Sequence, residues 1–70
     1  MTSHQIVSIF ANLIKKSNKL VQRLKFYLDL LGEDEVARGI ILMYQKFEHP
    51  TFNDLETIFD YYLKLKEVEK

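Results

Sequence analysis

The chain of 70 residues contains no cysteine, one proline and two glycines. Because cysteine is absent, disulfide bonds and zinc–thiolate sites are excluded. A chain this short buries a smaller fraction of its surface than a larger one does, so its margin of stability is thin. We therefore expect dense packing or association with other chains to stabilise the fold.

Long hydrophobic runs are also missing. No apolar run approaches the roughly 18 residues of a membrane span, and the N-terminus lacks the basic and apolar regions of a signal peptide. We expect a cytoplasmic protein, or a viral or plasmid product that acts in a host cytoplasm. Residues 4–25 could form a basic amphipathic helix on an anionic membrane, but their apolar band is regular enough to favour a protein partner.

The residue patterns of catalytic and metal sites do not occur in the sequence. There is no glycine-rich phosphate loop and no nucleophile with a base nearby. His4 and His49 stand alone, without further metal ligands at a defined spacing. A small helical core also leaves little room for a pocket. The sequence therefore predicts a protein that is not an enzyme and that binds neither a metal nor a cofactor.

Apolar residues are the dominant feature of what is present. Hydrophobic residues make up 47% of the chain and charged residues 29%, which is typical of a folded protein. Alternation with a period of two is nowhere sustained, so we predict an all-α fold. Apolar residues recur every seven positions through four heptads, in three adjacent rows. The rows are Ile6, Leu13, Leu20 and Tyr27; Val7, Ile14, Val21 and Leu28; and Phe10, Ser17, Leu24 and Leu31.

These rows predict one long helix over residues 3–31, with Thr2 or Ser3 as its N-cap and Gly32 as a left-handed C-cap. Ser17 and Asn18 could instead cap a second helix, because their side chains compete for local backbone groups. The heptad phase does not shift at this point. We therefore favour a continuous helix.

Two shorter helices are predicted after it. Helix two covers residues 34–48, with Asp34 as N-cap, and Pro50 ends it. Helix three covers residues 52–68, with Thr51 as N-cap in a capping-box arrangement. The apolar face of helix two is Val36, Ala37, Ile40, Ile41, Met43, Tyr44 and Phe47. The apolar face of helix three is Phe52, Leu55, Ile58, Phe59, Tyr62, Leu63 and Leu65.

The lengths of the three helices predict a dimer. A continuous helix one would be roughly 42 Å long, whereas helices two and three would be roughly 22 and 27 Å. The shorter helices would pack back from its C-terminal end and leave its N-terminal third uncovered. We therefore predict a dimeric helical bundle, a homodimer with antiparallel copies of helix one at its centre. The predicted dimer interface is Ile6, Val7, Phe10, Leu13, Ile14, Ser17, Leu20, Val21 and Leu24.

Charge is distributed unevenly although the formal net charge is zero. Residues 1–31 carry five basic residues and one acidic residue, a charge of +4, and the remainder carries −4. Basic residues in a row on a helix can neutralise nucleic-acid phosphates. The candidate contacts are Lys15, Lys16, Lys19, Arg23 and Lys25. A solvated outer face is the simpler interpretation of this row.

Two mixed patches on the shorter helices are candidate surfaces for another protein, because aromatic, leucine and arginine side chains often anchor interfaces. The first patch is Arg38, Leu42 and Gln45, and the second is Tyr61 and Val68. The sequence as a whole predicts a homodimeric interaction module, a small regulator, inhibitor or adaptor. The alternative is a small dimeric nucleic-acid-binding protein.

Overall fold

The structure is a computed structural model that describes residues 1–68, with side chains through residue 67. It contains four helices, α1 (Ser3–Ile14), α2 (Asn18–Leu31), α3 (Glu33–Lys46) and α4 (Phe52–Val68). No strand occurs between residues 1 and 68. The predicted all-α class is confirmed, and the predicted count of three helices is wrong.

The predicted continuous helix over residues 3–31 is interrupted at Ser17. The Ser17 backbone is extended, with φ −108° and ψ 105°, and its hydroxyl oxygen accepts the N–H of Leu20 at 3.4 Å. Lys15 keeps helical angles of φ −60° and ψ −22°, so the break is short. That brevity explains why the heptad spacing gives no sign of it.

The other caps are formed close to where the sequence places them. The hydroxyl oxygen of Thr2 accepts the N–H of Gln5 at 3.2 Å, and the Gln5 side chain accepts the N–H of Thr2 at 3.0 Å. The hydroxyl oxygen of Thr51 accepts the N–H of Asp54 at 3.3 Å, and the carboxylate of Asp54 accepts the N–H of Thr51 at 2.9 Å. Both are capping boxes, which satisfy backbone N–H groups that the first helical turn leaves without partners.

Gly32 alone separates α2 from α3. Its φ of +90° and ψ of 161° are accessible to glycine at little cost, so the chain can turn within one residue. The angles are not those of the predicted left-handed cap. Gly32 is also the N-cap of α3, so the prediction of Asp34 at that position is wrong. The helix ends at Lys46, two residues before the predicted end.

The helices pack in the cyclic order α1, α3, α4, α2 around the bundle. α1 and α4 each contact α2 and α3. The starts of α1 and α3 lie together, with Nδ1 of His4 3.0 Å from Oε2 of Glu33. Ser3 and Ile6 line a depression with Asp34, and Leu13 lines one with Tyr44, so the two helices run in the same general direction. α2 and α4 also run alongside each other, joined by an ion pair between Arg23 and Glu56.

The core draws residues from all four helices, and its largest fully buried side chains are Phe59, Leu55 and Val36. Val7 and Phe10 are buried there too, at 7% and 5% exposure. The prediction that the chain leaves its own N-terminal third uncovered is therefore wrong. The turn at residues 15–17 brings α1 back over α3, which supplies the missing cover. The buried apolar residues are Val7, Phe10, Leu24, Tyr27, Leu31, Val36, Ala37, Ile40, Met43, Leu55 and Phe59.

Candidate interaction surfaces

An apolar groove lies on the outer face of the α1 and α3 pair. Gln45 is the one polar residue among those that line it. The groove is lined by Met1, Ile6, Ile9, Phe10, Leu13, Ile40, Ile41, Tyr44 and Gln45. We call this surface the α1–α3 groove.

The local sequence explains why these residues share one face. Ile6, Ile9 and Leu13 follow each other at intervals of three and four residues along α1, and Ile41 and Tyr44 do so along α3. Since the two helices run in the same direction, the two stripes lie side by side. Their floor, Phe10 and Ile40, belongs to the core.

Besides Met1, four large apolar side chains on the groove keep much of their surface in solvent. Leu13 is 66% exposed, Tyr44 51%, Ile9 48% and Ile41 42%. Single exposed apolar residues are ordinary, but a contiguous set in a nearly wholly apolar groove is typical of an interaction site.

The two ends of the groove differ in charge, since acidic residues together with Arg38 lie at one end and lysines lie at the other. Glu33 and Asp34 lie in the first turn of α3, and Asp34 lines a depression that shares Met1, Ile6 and Ile41 with the groove. Lys15 and Lys16 follow the last residue of α1 at the opposite end, and both are exposed.

The predicted dimer interface is divided between the core and the surface. Within it, the chain's own core buries Val7, Phe10 and Leu24. Leu13 is the member of the set that lies exposed on the α1–α3 groove. The partly buried members are Ile6, Ile14, Ser17, Leu20 and Val21.

The sequence pattern does not mark Ile9, Ile41 or Tyr44 of the groove as surface residues. The pattern places Ile41 and Tyr44 on the apolar face of helix two, and Ile9 belongs to none of the three heptad rows. The spacing of Ile9 from Ile6 and Leu13 is the signal that points to it.

The residues of the two predicted partner patches are redistributed. Leu42 and Tyr61 come together in a depression between α3 and α4. Arg38 lines a different depression, and Gln45 lies on the α1–α3 groove. The Val68 side chain lies outside the part of the chain that the structure describes.

The basic residues do not form the single row that a continuous helix would give. Lys15 and Lys16 lie in the turn before α2, and Lys19 lies in the first turn of α2. Arg23 forms an ion pair with Glu56 of α4. The candidate nucleic-acid contacts remain exposed, and they are Lys15, Lys16, Lys19, Arg23 and Lys25.

Two tyrosines have perturbed acidity for structural reasons. Burial, followed by the hydrogen bond that the Tyr27 hydroxyl donates to Asp60 at 3.0 Å, raises the pKa of Tyr27 to about 12. Burial also raises the pKa of Tyr62, and the negative charge of Glu35 adds to this effect. Each phenol lies at a contact between helices, so these shifts reflect packing.

Groups of three or more side chains that could hold a metal ion do not occur among the residues that the structure describes. Over the same range, none of the four helices is both long enough and apolar enough to cross a membrane. No protein-family model, curated protein or solved structure matches the chain.

Proposed function

We propose that this protein is a non-enzymatic interaction module that forms a homodimer through the α1–α3 groove and acts as a small cytoplasmic regulator, inhibitor or adaptor. The single observation that supports this proposal is the exposure of Leu13, Tyr44, Ile9 and Ile41 side by side. A further protein would bind elsewhere, and the depression that holds Leu42 and Tyr61 is the candidate surface.

The energetics of burial support self-association. Fully burying a large apolar side chain contributes about 1.5–3 kcal/mol. The four exposed groove residues already have roughly half of their surface covered, so each gains about half of that amount. In a two-fold dimer each copy contributes its set, so the total gain is on the order of 6–12 kcal/mol before the costs of association.

Substitution of Leu13 tests the proposal. Leu13→Glu places a charge in the groove and should abolish the dimer, because a carboxylate is costly to bury without a partner. Leu13 is 66% exposed in the monomer, so the variant should still fold. Sedimentation velocity over a concentration series measures the assembly, and circular dichroism measures the fold.

Phe26→Glu is the matched control. Phe26 is 58% exposed and lies on α2, which contributes no residue to the groove. This variant should dimerise like the wild type. A wild-type protein that sediments as an 8.4 kDa monomer at all concentrations would refute the homodimer.

Nucleic-acid binding is the second candidate function. The specific observation in its favour is that residues 1–28 contain no acidic residue, while exposed lysines cluster around the turn between α1 and α2. The double variant Lys15→Glu with Lys19→Glu should then lose salt-sensitive binding to a labelled oligonucleotide.

The control for that experiment is Lys46→Glu with Lys64→Glu, which changes the net charge equally on α3 and α4. If both double variants lose oligonucleotide binding equally, the loss results from the change in net charge and not from the positions of Lys15 and Lys19. No binding by the wild type at 50 mM salt would eliminate this candidate.

A further inference from the structure

We infer that the two copies pack antiparallel across the α1–α3 groove, with Lys16 of each copy opposite Asp34 of the other. This inference rests on the proposed homodimer and specifies its geometry. The two-fold axis lies in the interface and passes close to Ile9 and Ile41. An axis of this kind makes every contact twice.

The charges are separated from the residues near that axis by equal lengths of sequence. Lys16 follows Ile9 by seven residues, and Asp34 precedes Ile41 by seven residues. At 1.5 Å per helical residue Asp34 lies about 10 Å from the centre along α3, and Lys16 lies in the turn just beyond the end of α1 at Ile14. Because α1 and α3 run in the same direction, the two charges lie at opposite ends of the groove.

Existing side-chain contacts occupy the other acidic residues at the start of α3. Oε2 of Glu33 is within hydrogen-bonding distance of Nδ1 of His4, and Glu35 lies 3.7 Å from Arg38. Among the side chains of residues 1–67, neither Asp34 nor Lys16 forms a salt bridge. Lys15 and Lys46, near the same end of the groove as Lys16, also form no salt bridge within that range of residues. Lys16 is the lysine that follows Leu13 of the groove by three residues, the spacing of one helical face. We therefore assign the pairing across the two copies to Lys16 and Asp34.

The alternative orientation is electrostatically unfavourable. If the copies were parallel, the lysines of both would meet at one end of the groove and the acids of both at the other. Like charges in contact disfavour an orientation more strongly than rim ion pairs favour one.

Lys16 and Asp34 also lie at the ends of different helices, so pairing them requires the helix pairs to cross obliquely. An angle of about 50° is the commonest class of helix packing.

The size of the face sets the expected affinity. Two helices of 12 and 14 residues side by side present a face of about 20 by 20 Å. A standard interface buries about 800 Å² on each partner. This face is smaller, in the range of weak and transient interfaces, so we expect a reversible dimer whose concentration dependence sedimentation can measure.

Charge exchange tests the geometry. Asp34→Lys alone and Lys16→Glu alone each place like charges in contact twice, and each should weaken homodimerisation about tenfold. An equimolar mixture of the two variants should form a heterodimer, because both of its cross-contacts are then between opposite charges. The chain carrying both substitutions should dimerise like the wild type.

The pattern of recovery distinguishes this inference from the homodimer itself. If the mixture and the double variant both stay weak while the wild type dimerises, the antiparallel pairing is wrong and the homodimer stands. If the wild type does not dimerise, both proposals fail. Asp29→Lys and Lys25→Glu on α2 are the controls and should leave dimerisation unchanged. Asp34→Asn is the milder second variant, and circular dichroism verifies that each variant is folded.

Discussion

Gly39 of α3 lies so close to the ring of Phe59 of α4 that a Cβ at position 39 would be 2.6 Å from Cε1 and 3.1 Å from Cδ1 of that ring. Phe59 is fully buried, so its ring has little room to move. Glycine at this position allows α3 and α4 to approach closely. The price in helix propensity is about 1 kcal/mol relative to alanine.

We expect Gly39→Ala to destabilise the protein despite that gain in propensity. Inserting a methyl group into a packed core costs about 1–3 kcal/mol, which should exceed the propensity term and lower the free energy of unfolding by about 1 kcal/mol. Urea denaturation measures the change. Phe59→Leu should reduce the penalty for Gly39→Ala in a double-mutant cycle, and strict additivity would show that the ring is not the obstacle.

The Tyr27 hydroxyl should make stability depend on pH above 10. Its pKa in the folded protein, about 12, lies above the ordinary value of 10.0. Because the pKa is raised in the folded protein, the contribution of Tyr27 to the free energy of unfolding is complete below pH 10 and is lost as the pH rises toward 12. The loss should be on the order of 2 kcal/mol, and denaturant titrations at several pH values measure it.

Tyr27→Phe is the control for this dependence. The variant should lose about 1 kcal/mol at neutral pH, because the hydrogen bond to Asp60 is gone, and its decline between pH 10 and 12 should be shallower. Equal slopes in the variant and the wild type would assign the alkaline decline to other groups.

Ser17→Ala tests whether the break after α1 is a stable feature of the fold. Ser17 accepts a hydrogen bond from the backbone N–H of Leu20, and loss of an N-cap side chain costs about 1 kcal/mol. The melting temperature should fall accordingly. Ser8→Ala, an exposed position within α1, should have a small or opposite effect. A rise in stability for Ser17→Ala would indicate a continuous helix.

Substitution by alanine should cost much more stability at Phe10 than at Leu13, although both residues belong to the predicted dimer interface. Phe10 is 5% exposed and stacks on Phe52 with ring centroids 6.2 Å apart, so Phe10→Ala should cost about 3–5 kcal/mol. Leu13→Ala at an exposed position should cost less than about 1 kcal/mol. Thermal unfolding at low protein concentration compares the two. Similar losses would contradict the packing of α1 on α3.

The sequence by itself determined the helical class, the start of the first helix at Thr2 or Ser3, and the capping box at Thr51. These features depend on side chains that bond backbone groups three residues away, so a short window of sequence contains all the interacting atoms. The turn at Gly32 was also evident, since glycine is the residue that accepts a positive φ.

Only the tertiary structure decided whether the first helix continues through Ser17. Both a capped break and an unbroken helix satisfy the local bonds, and the heptad spacing is the same in each. The difference lies in the burial of Val7 and Phe10 against α3, about 30 residues away along the chain. A helix can bury only the face that its neighbours cover. When α1 packs on α3, the side chains of Ile9, Leu13, Ile41 and Tyr44 therefore remain exposed to solvent.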